Sequence, residues 1–250
     1  CRFCQNQELS QHSPEEIPAI DLPPEAAVKQ ALTQKCKSIS YTYSDPVIFY
    51  EYARDISILA QDAGLLNVLV TAGYIEQEPL NELCRVVHAA NIDLKGITEE
   101  FYKTLCQATL KPVQESIVTM KKRGIWVELT NLLLPTLNDS DKDVRELCRW
   151  VRNHCGADTP VHFSGFRPMH KLRDIPATPL ETLERAWNIG KAEGLNFVYV
   201  GNVQNHPGNH TYCPNDGKIL IRRIGYHVTE NHVLKGSCEY CGTRIPGIWT

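Results

Sequence analysis

From Pro24 to Val203 the sequence keeps one rhythm, in which short apolar runs alternate with helix-like segments at intervals of very roughly 30 residues. Strands are read at 38–43, 67–71, 91–95, 124–134, 160–166 and 196–203, several of them apolar nearly throughout, as strands buried on both faces of a parallel sheet are. Helical patterns fall between them at 25–36, 47–63, 79–88, 99–106, 112–123, 141–154 and 180–193. The clearest has Val144, Leu147, Cys148 and Val151 at i, i+3, i+4 and i+7, behind the capping candidates Asn138, Asp139 and Ser140. Gly64, Gly124, Gly156 and Gly194 end or follow helices. Repeated βα units predict an α/β barrel or partial barrel, and in such barrels the reactive groups sit at the C-terminal ends of the strands.

The bulk properties narrow the function classes. A chain of 250 residues buries a full core, which fits one barrel-sized domain with a small appendage. Hydrophobic residues at 42% and charged residues at 22% exclude a disordered or fibrous chain. The net charge of -3, with Lys and Arg scattered, gives no stripe for a nucleic-acid backbone. No run of eighteen apolar residues occurs, so no membrane partner is expected. The first residue is a cysteine inside a motif, which reads as a start within a longer gene product. Ten cysteines are too sparse for a disulfide scaffold, and CxxC pairs at both ends suggest metal-binding thiolates in a reducing compartment, hence a cytoplasmic location.

Cys1 and Cys4 form a CxxC loop leading into Glu8, Leu9 and Ser10. Two thiolates at this spacing grip one metal ion or two irons of a cluster. Half of a zinc site is the competing reading, and a redox CxxC fits less well because no helix pattern follows Cys4 at once. Behind the loop come hydroxyl-rich or charged strand ends: residues 40–46 (SYTYSDP), 70–74 (VTAGY) and 91–96 (NIDLKG). Carboxylates hold an ammonium and Lys95 a carboxylate, the two groups of an amino-acid moiety. Each residue also has a plainer role. Asp45 before Pro46 can cap the following helix, Asp93 and Lys95 can be edge residues, and His162 can be a hydrogen-bonded core histidine. Cys36, Cys84, Cys106, Cys148 and Cys155 read as packed helical filler.

The order of motifs, CRFCQNQELSQ, SYTYSDP, VTAGY, NIDLKG, LLLPTLNDSD, PVHFSGFRP, TYCPNDG and CEYCGTRIPGIW, resembles the radical S-adenosylmethionine superfamily. Within it the chain is similar to pyruvate formate-lyase activating enzymes and closest to the AmmeMemoRadiSam-system enzymes, over nearly its whole length. The resemblance implies a partial (β/α) barrel whose first strand, like the first cysteine of a CxxxCxxC loop, precedes Cys1. Cys1 and Cys4 then match the second and third ligands of a [4Fe-4S] cluster, and Phe3 matches an aromatic near the adenine. Ser44, Asp45 and Pro46 match the motif contacting the amino group of the methionine moiety. Thr71, Asp93 and Lys95 match positions holding its carboxylate or a monovalent cation, and His162 a late-strand cofactor contact. The implied reaction is reductive cleavage of S-adenosylmethionine to a 5'-deoxyadenosyl radical that abstracts a substrate hydrogen.

The implied partners are an unidentified substrate, with a protein as the activase-like case, and an electron donor such as flavodoxin or ferredoxin. With two thiolates in the loop, the 250-residue chain alone is expected to be inactive. A boundary near His206 divides a barrel at 1–205 from a cysteine-bearing tail at 206–250, with short strands at 218–223 and 226–229. Cys213, Asp216, Cys238 and Cys241 lie in two knuckles that resemble a zinc ribbon, making zinc a candidate cofactor; His206 or His210 is the alternative fourth ligand.

Four residues depart from the family pattern: Asp45 for Glu, Ala72 for Asn, Asp216 for Cys, and Val70 at a position acidic in the activating enzymes. They leave open an alternative, a degenerate barrel that binds a protein partner through its metal-binding tail. A zinc hydrolase ranks last, since His162 alone of nine histidines falls at a strand end.

Overall fold

The computed structural model describes residues 1–249; Thr250, the last residue of the expected tail, lies outside them. In chain order the first elements are α1 (Gln7–Ser10), α2 (Pro24–Thr33), β1 (Ser38–Tyr41), α3 (Tyr50–Asp62), β2 (Leu66–Thr71), α4 (Gln77–Leu83) and β3 (Ala89–Asp93). Next come α5 (Glu99–Phe101), a π-helical turn (Tyr102–Cys106), α6 (Leu110–Lys122), β4 (Trp126–Leu133), α7 (Asp141–Cys155), β5 (Val161–Gly165), α8 (Leu180–Ala192) and β6 (Val198–Gly201). The tail carries β7 (Thr211–Tyr212), β8 (Ile219–Ile224), β9 (His227–Asn231), β10 (Val233–Leu234) and β11 (Ser237–Cys238). All six expected strands and seven expected helical segments are present.

The described residues form two compact units. The first comprises Cys1–Leu94, Leu105–Val127 and Met169–Leu172; the second comprises Lys95–Thr104, Glu128–Pro168 and the chain from Arg173 onward. In the first unit β1, β2 and β3 pair in parallel, Ser38 opposite Leu66 and Val68 opposite Ala89. In the second, β4, β5 and β6 pair in parallel, Leu129 opposite Val161 and Val161 opposite Val198.

The strands differ from the expected two-sided burial. One face is fully buried: Asn67, Leu69 and Thr71 in β2, Val127, Leu129, Asn131 and Leu133 in β4, Val161 and Phe163 in β5. The other is half-exposed and carries Asn91 and Asp93 in the first unit, and Glu128, Thr130, His162 and Tyr199 in the second. A period-2 backbone sorts side chains this way. The polar residues keep solvation on the open face, while α3 packs on β2 and α8 on β5 and β6.

Local chemistry sets the element ends. In α7 the expected stripe of Val144, Leu147, Cys148 and Val151 is buried, with Cys155 added. Each buried aliphatic side chain contributes roughly 1.5–3 kcal/mol. Of the three cap candidates Ser140 does the capping, accepting from Asp143 N–H at 3.1 Å. Asp139 accepts from Thr136 N–H at 2.7 Å, and Asn138 accepts from Leu134 N–H at 2.7 Å. Gly156 follows the helix at φ 93°, a conformation open to glycine at little cost.

The α4 helix stops five residues short of expectation because Asn67 captures the chain beyond it. Its amide donates to Val86 O at 2.9 Å and Ser57 O at 2.8 Å, its carbonyl accepts from Tyr41 Oη at 3.0 Å, and its N–H donates to His88 Nδ1 at 3.1 Å. Three side-chain bonds, two of them fully buried, thus tie β1, α3 and the segment before β3 to β2. Replacing Asn67 by Ala removes them and leaves their partners unsatisfied, so urea unfolding should show a loss of about 3 kcal/mol, with individual bonds contributing about 1 kcal/mol.

Candidate functional site

The CxxC-loop residues of the first unit are anchored through their backbone. Cys4 N–H donates to Cys1 O at 3.3 Å, closing the CxxC turn, while Arg2 donates to Leu105 O at 2.8 Å and accepts from Lys171 N–H at 3.0 Å. Phe3 is buried at 3% exposure, Cys4 is half-buried with Sγ 3.3 Å from Ser10 Oγ, and Cys1 is exposed. Both thiols are free. Just past the loop, Asn6 donates through its amide to Tyr43 O at 2.6 Å, which fastens the loop to the end of β1 two residues before Asp45.

Asp45 is the hub of the adjoining strand ends. Its Oδ1 accepts from the Thr71 hydroxyl at 2.8 Å and from Val47 N–H at 3.2 Å; its Oδ2 accepts from Ala72 N–H at 2.9 Å. The Val47 bond is the expected cap, although it closes a turn at 46–49 and α3 begins only at Tyr50. The bonds to Thr71 and Ala72 join the β1 and β2 ends. Thr71 passes the connection on, its Oγ1 accepting from Gly73 N–H at 3.0 Å. With three bonds accepted, the carboxylate keeps one lone pair on Oδ2. Ser44 is half-buried and Pro46 buried beside it. Ala72, lacking the family's amide, contributes its backbone N–H, and Val70 lies on the half-exposed face of β2.

Asp93 ends β3 on that same half-exposed face, two positions after Asn91. Contrary to the strand expected at 91–95, Lys95 lies beyond the end of β3. The chain leaves the sheet at Leu94, whose N–H donates to Ile92 O at 3.0 Å. In the second unit, Lys95 N–H donates to Tyr102 Oη at 3.1 Å and Lys95 O accepts from Asn138 Nδ2 at 2.9 Å. Side chains thus take the backbone groups a neighbouring strand would otherwise pair.

His162, on β5, is held from two sides within the second unit. Its Nε2 lies 2.7 Å from Glu128 Oε2, and its ring stacks on Tyr199 at 4.8 Å between centroids. The Tyr199 and Thr211 hydroxyls hydrogen-bond at 3.0 Å, and burial raises the Tyr199 phenol above its ordinary pKa. His162 therefore sits in a polar row on the open strand face rather than in the core. Glu128 and Tyr199 are the residues the motif reading misses. A signal for Glu128 is present in the sequence, since it is the lone acid inside the apolar run 125–134.

The tail brings its four expected donors together. One ligand atom from each of Cys213, Asp216, Cys238 and Cys241 lies within 4.8 Å of all the others, with Cys213 and Cys241 Sγ 3.6 Å apart and Cys238 Sγ 4.0 Å from Asp216 Oδ2. Burial raises the Cys213 thiol to about 11, whereas hydrogen bonds to Thr243 lower Cys241 to about 7. The alternative ligands are engaged elsewhere. His206 Nδ1 accepts from Gly208 N–H at 2.9 Å with Nε2 3.6 Å from Glu184, and His210 Nδ1 accepts from Arg223 N–H at 3.2 Å. Of the cysteines read as filler, Cys148 and Cys155 are buried, with Cys148 pushed up to about 12, but Cys84 and Cys106 are half-buried and Cys36 is exposed past the end of α2.

The sequence model of the Radical SAM superfamily matches residues 1–151, from the anchored CxxC loop into α7. The chain belongs to the radical SAM superfamily. It is 47% identical over 247 residues to an uncharacterized protein of Methanocaldococcus jannaschii, covering 98% of this chain and 73% of that protein. To a pyruvate formate-lyase-activating enzyme of Clostridium pasteurianum it is 22% identical over 153 residues, covering 57% of this chain and 64% of that enzyme. A domain of a pyruvate-formate lyase-activating enzyme from Bacteroides vulgatus superposes with a TM-score of 0.57 at 16% identity, over 66% of this chain and 99% of that one. Streptococcus suis SuiB bound to S-adenosylmethionine superposes with a TM-score of 0.60 at 10% identity, over 74% of this chain and 45% of that one. The fold is the radical SAM α/β fold, and the family implies a [4Fe-4S] cluster and S-adenosylmethionine as cofactors. Among the described residues no helix is long and apolar enough to cross a membrane.

The hub role of Asp45 has a measurable consequence. Asp45→Ala removes three accepted bonds, and Asp45→Asn turns an amide donor or a lost contact towards Ala72 N–H. Each variant should lose about 1–3 kcal/mol in denaturant unfolding, with faster hydrogen exchange at the Ala72 amide.

Proposed function

We propose that this protein is a radical SAM enzyme that cleaves S-adenosylmethionine reductively and, like the activating enzymes it is similar to, takes a hydrogen atom from a protein substrate. The observation that carries this reading is the bond from Asn6 to Tyr43 O beside the Asp45 hub, which fastens the CxxC loop to the strand ends whose motifs match the cofactor contacts. Two free, solvent-reaching thiols on an anchored turn fit two of the three ligands of a site-differentiated cluster.

When bound, the cluster would supply the electron that reductive cleavage of S-adenosylmethionine requires, and Cys1 and Cys4 would be among the residues that hold it. The chain's own residues bind and orient. In the first unit, Cys1 and Cys4 serve as thiolate ligands and Phe3 as the apolar support of the loop. Asp45, between Ser44 and Pro46, would present its remaining Oδ2 lone pair to the ammonium, with Thr71 fixing that carboxylate and Asp93 offering a second carboxylate for a cation. By the resemblance, Lys95 would pair with the methionine carboxylate and His162, oriented by Glu128, would be a late-strand cofactor contact. The division into a barrel at 1–205 and a tail at 206–250 belongs to this reading, as do a flavodoxin- or ferredoxin-type donor and a reducing, cytoplasmic setting.

The test is anaerobic reconstitution of the full-length protein with iron and sulfide, then addition of dithionite and S-adenosylmethionine and chromatography for 5'-deoxyadenosine. Stoichiometric or greater 5'-deoxyadenosine is expected, with Cys4→Ser reducing it to background and Lys95→Ala raising the S-adenosylmethionine KM by roughly ten- to a hundredfold, as loss of a charge-assisted contact of about 1.5–3 kcal/mol does. A verified cluster without cleavage would falsify the proposal in favour of a degenerate binding module.

A further inference from the structure

The tail is not used by that reading, and its two cysteine loops share one construction. In the first, Cys213 N–H donates to Lys218 O at 2.8 Å and Gly217 N–H to Cys213 O at 3.0 Å. In the second, Cys238 N–H donates to Thr243 O at 2.8 Å and Gly242 N–H to Cys238 O at 2.9 Å. Gly217 and Gly242 stand at φ 71° and 75°, the left-handed region where a Cβ is costly. Each loop presents a donor at its first and fourth residues, and the correspondence puts Asp216 where Cys241 stands in the second loop. The loops are also joined outside the donors, Lys218 Nζ lying 4.5 Å from the Tyr240 ring centroid.

The separations and the chemistry of the donors select among possible occupants. A tetrahedral ion with sulfur arms of about 2.3 Å places two sulfurs about 3.8 Å apart, close to the 3.6 Å between Cys213 and Cys241. A disulfide between those two cysteines needs about 2.05 Å and gives no role to the converging Cys238 and Asp216. Iron-sulfur clusters are held by thiolates on several irons, which spreads the ligands further than donors that all lie within 4.8 Å of one another. Zinc is borderline-soft and accepts both Cys sulfur and Asp oxygen.

The surroundings give the ion a purpose. A buried cluster joins the tail's Cys213, Leu220, Ile221, Cys238 and Ile245 to Phe197 just before β6, with Tyr199 and Val233 packed against it. Apart from the cysteines the tail contributes only three buried apolar side chains to it, and segments with so little core of their own are commonly stapled by a metal or by disulfides. We propose that Cys213, Asp216, Cys238 and Cys241 bind one zinc ion as a structural, four-coordinate Cys3Asp site that holds the tail together. Four protein ligands close the coordination sphere, so the site is structural rather than catalytic. Through Tyr199, which touches this cluster and stacks on His162, the ion also steadies one side of the open face of β5 and β6.

The test uses full-length protein purified anaerobically, with metal content by mass spectrometry and Co(II) titration by absorption. One equivalent of zinc is expected per chain, retained in Cys1→Ser/Cys4→Ser, which separates it from the proposed cluster loop, and lost in Cys213→Ser/Cys241→Ser. Co(II) should give tetrahedral visible bands with thiolate charge transfer. Asp216→Ala should weaken Co(II) binding by at least about tenfold, in the range that loss of supporting interactions alone produces. Asp216→Cys should tighten it by a similar factor, and because this variant adds a thiolate it reads the site even if the serine variants do not fold. The proposal is overturned by no zinc and no Co(II) spectrum in the parent protein, by metal that follows Cys1 and Cys4 instead, by an iron-sulfur absorption that depends on Cys213, or by two missing thiols in the anaerobically denatured chain.

Discussion

In each unit the parallel strands turn alternate side chains towards packed helices, and this two-residue parity determines which residues are available for chemistry. It buries Leu69, Leu129, Leu133 and Phe163 at 2% exposure or less, and it keeps Asp93 in the first unit and Glu128, Thr130, His162 and Tyr199 in the second on a half-exposed face. A one-residue slip would exchange the two sets. Side-chain hydrogen bonds from the buried face, chiefly those of Asn67, fix how neighbouring segments of the first unit meet.

On that base the first unit adds its polar hub. Asp45 does the capping the sequence allowed it and adds a job the sequence did not indicate, since Oδ1 caps the turn after Pro46 while both oxygens reach the β2 end. A shorter side chain than the family's Glu is consistent with this geometry, because an acceptor held against Thr71 and Ala72 N–H sits close to the backbone. The same bonds place the Asn6 contact, and with it the CxxC loop, beside the hub.

Most of the architecture was legible because it depends on local periodicity. The α7 stripe is written in Val144, Leu147, Cys148 and Val151, and the six strands in apolar runs bounded by turns. What was not legible depends on partners distant in sequence. The early end of α4 is decided by Asn67, the departure of Lys95 from β3 by Tyr102 and Asn138, and the setting of His162 by Glu128, 34 residues away. The place of Asp216 in a cysteine's position is legible in the motif spacing, whereas its convergence with Cys213, Cys238 and Cys241 on one point depends on the folded loops.

The central claim is that S-adenosylmethionine binds directly at a cluster carried by the Cys1–Cys4 loop and is held by the strand-end residues. Electron paramagnetic resonance of the dithionite-reduced, cluster-loaded full-length protein tests it without requiring the substrate. The account predicts that adding S-adenosylmethionine changes the g-values of the reduced cluster, and that Lys95→Ala needs a higher concentration to produce the same change. An unchanged spectrum at saturating S-adenosylmethionine in the parent protein would contradict it.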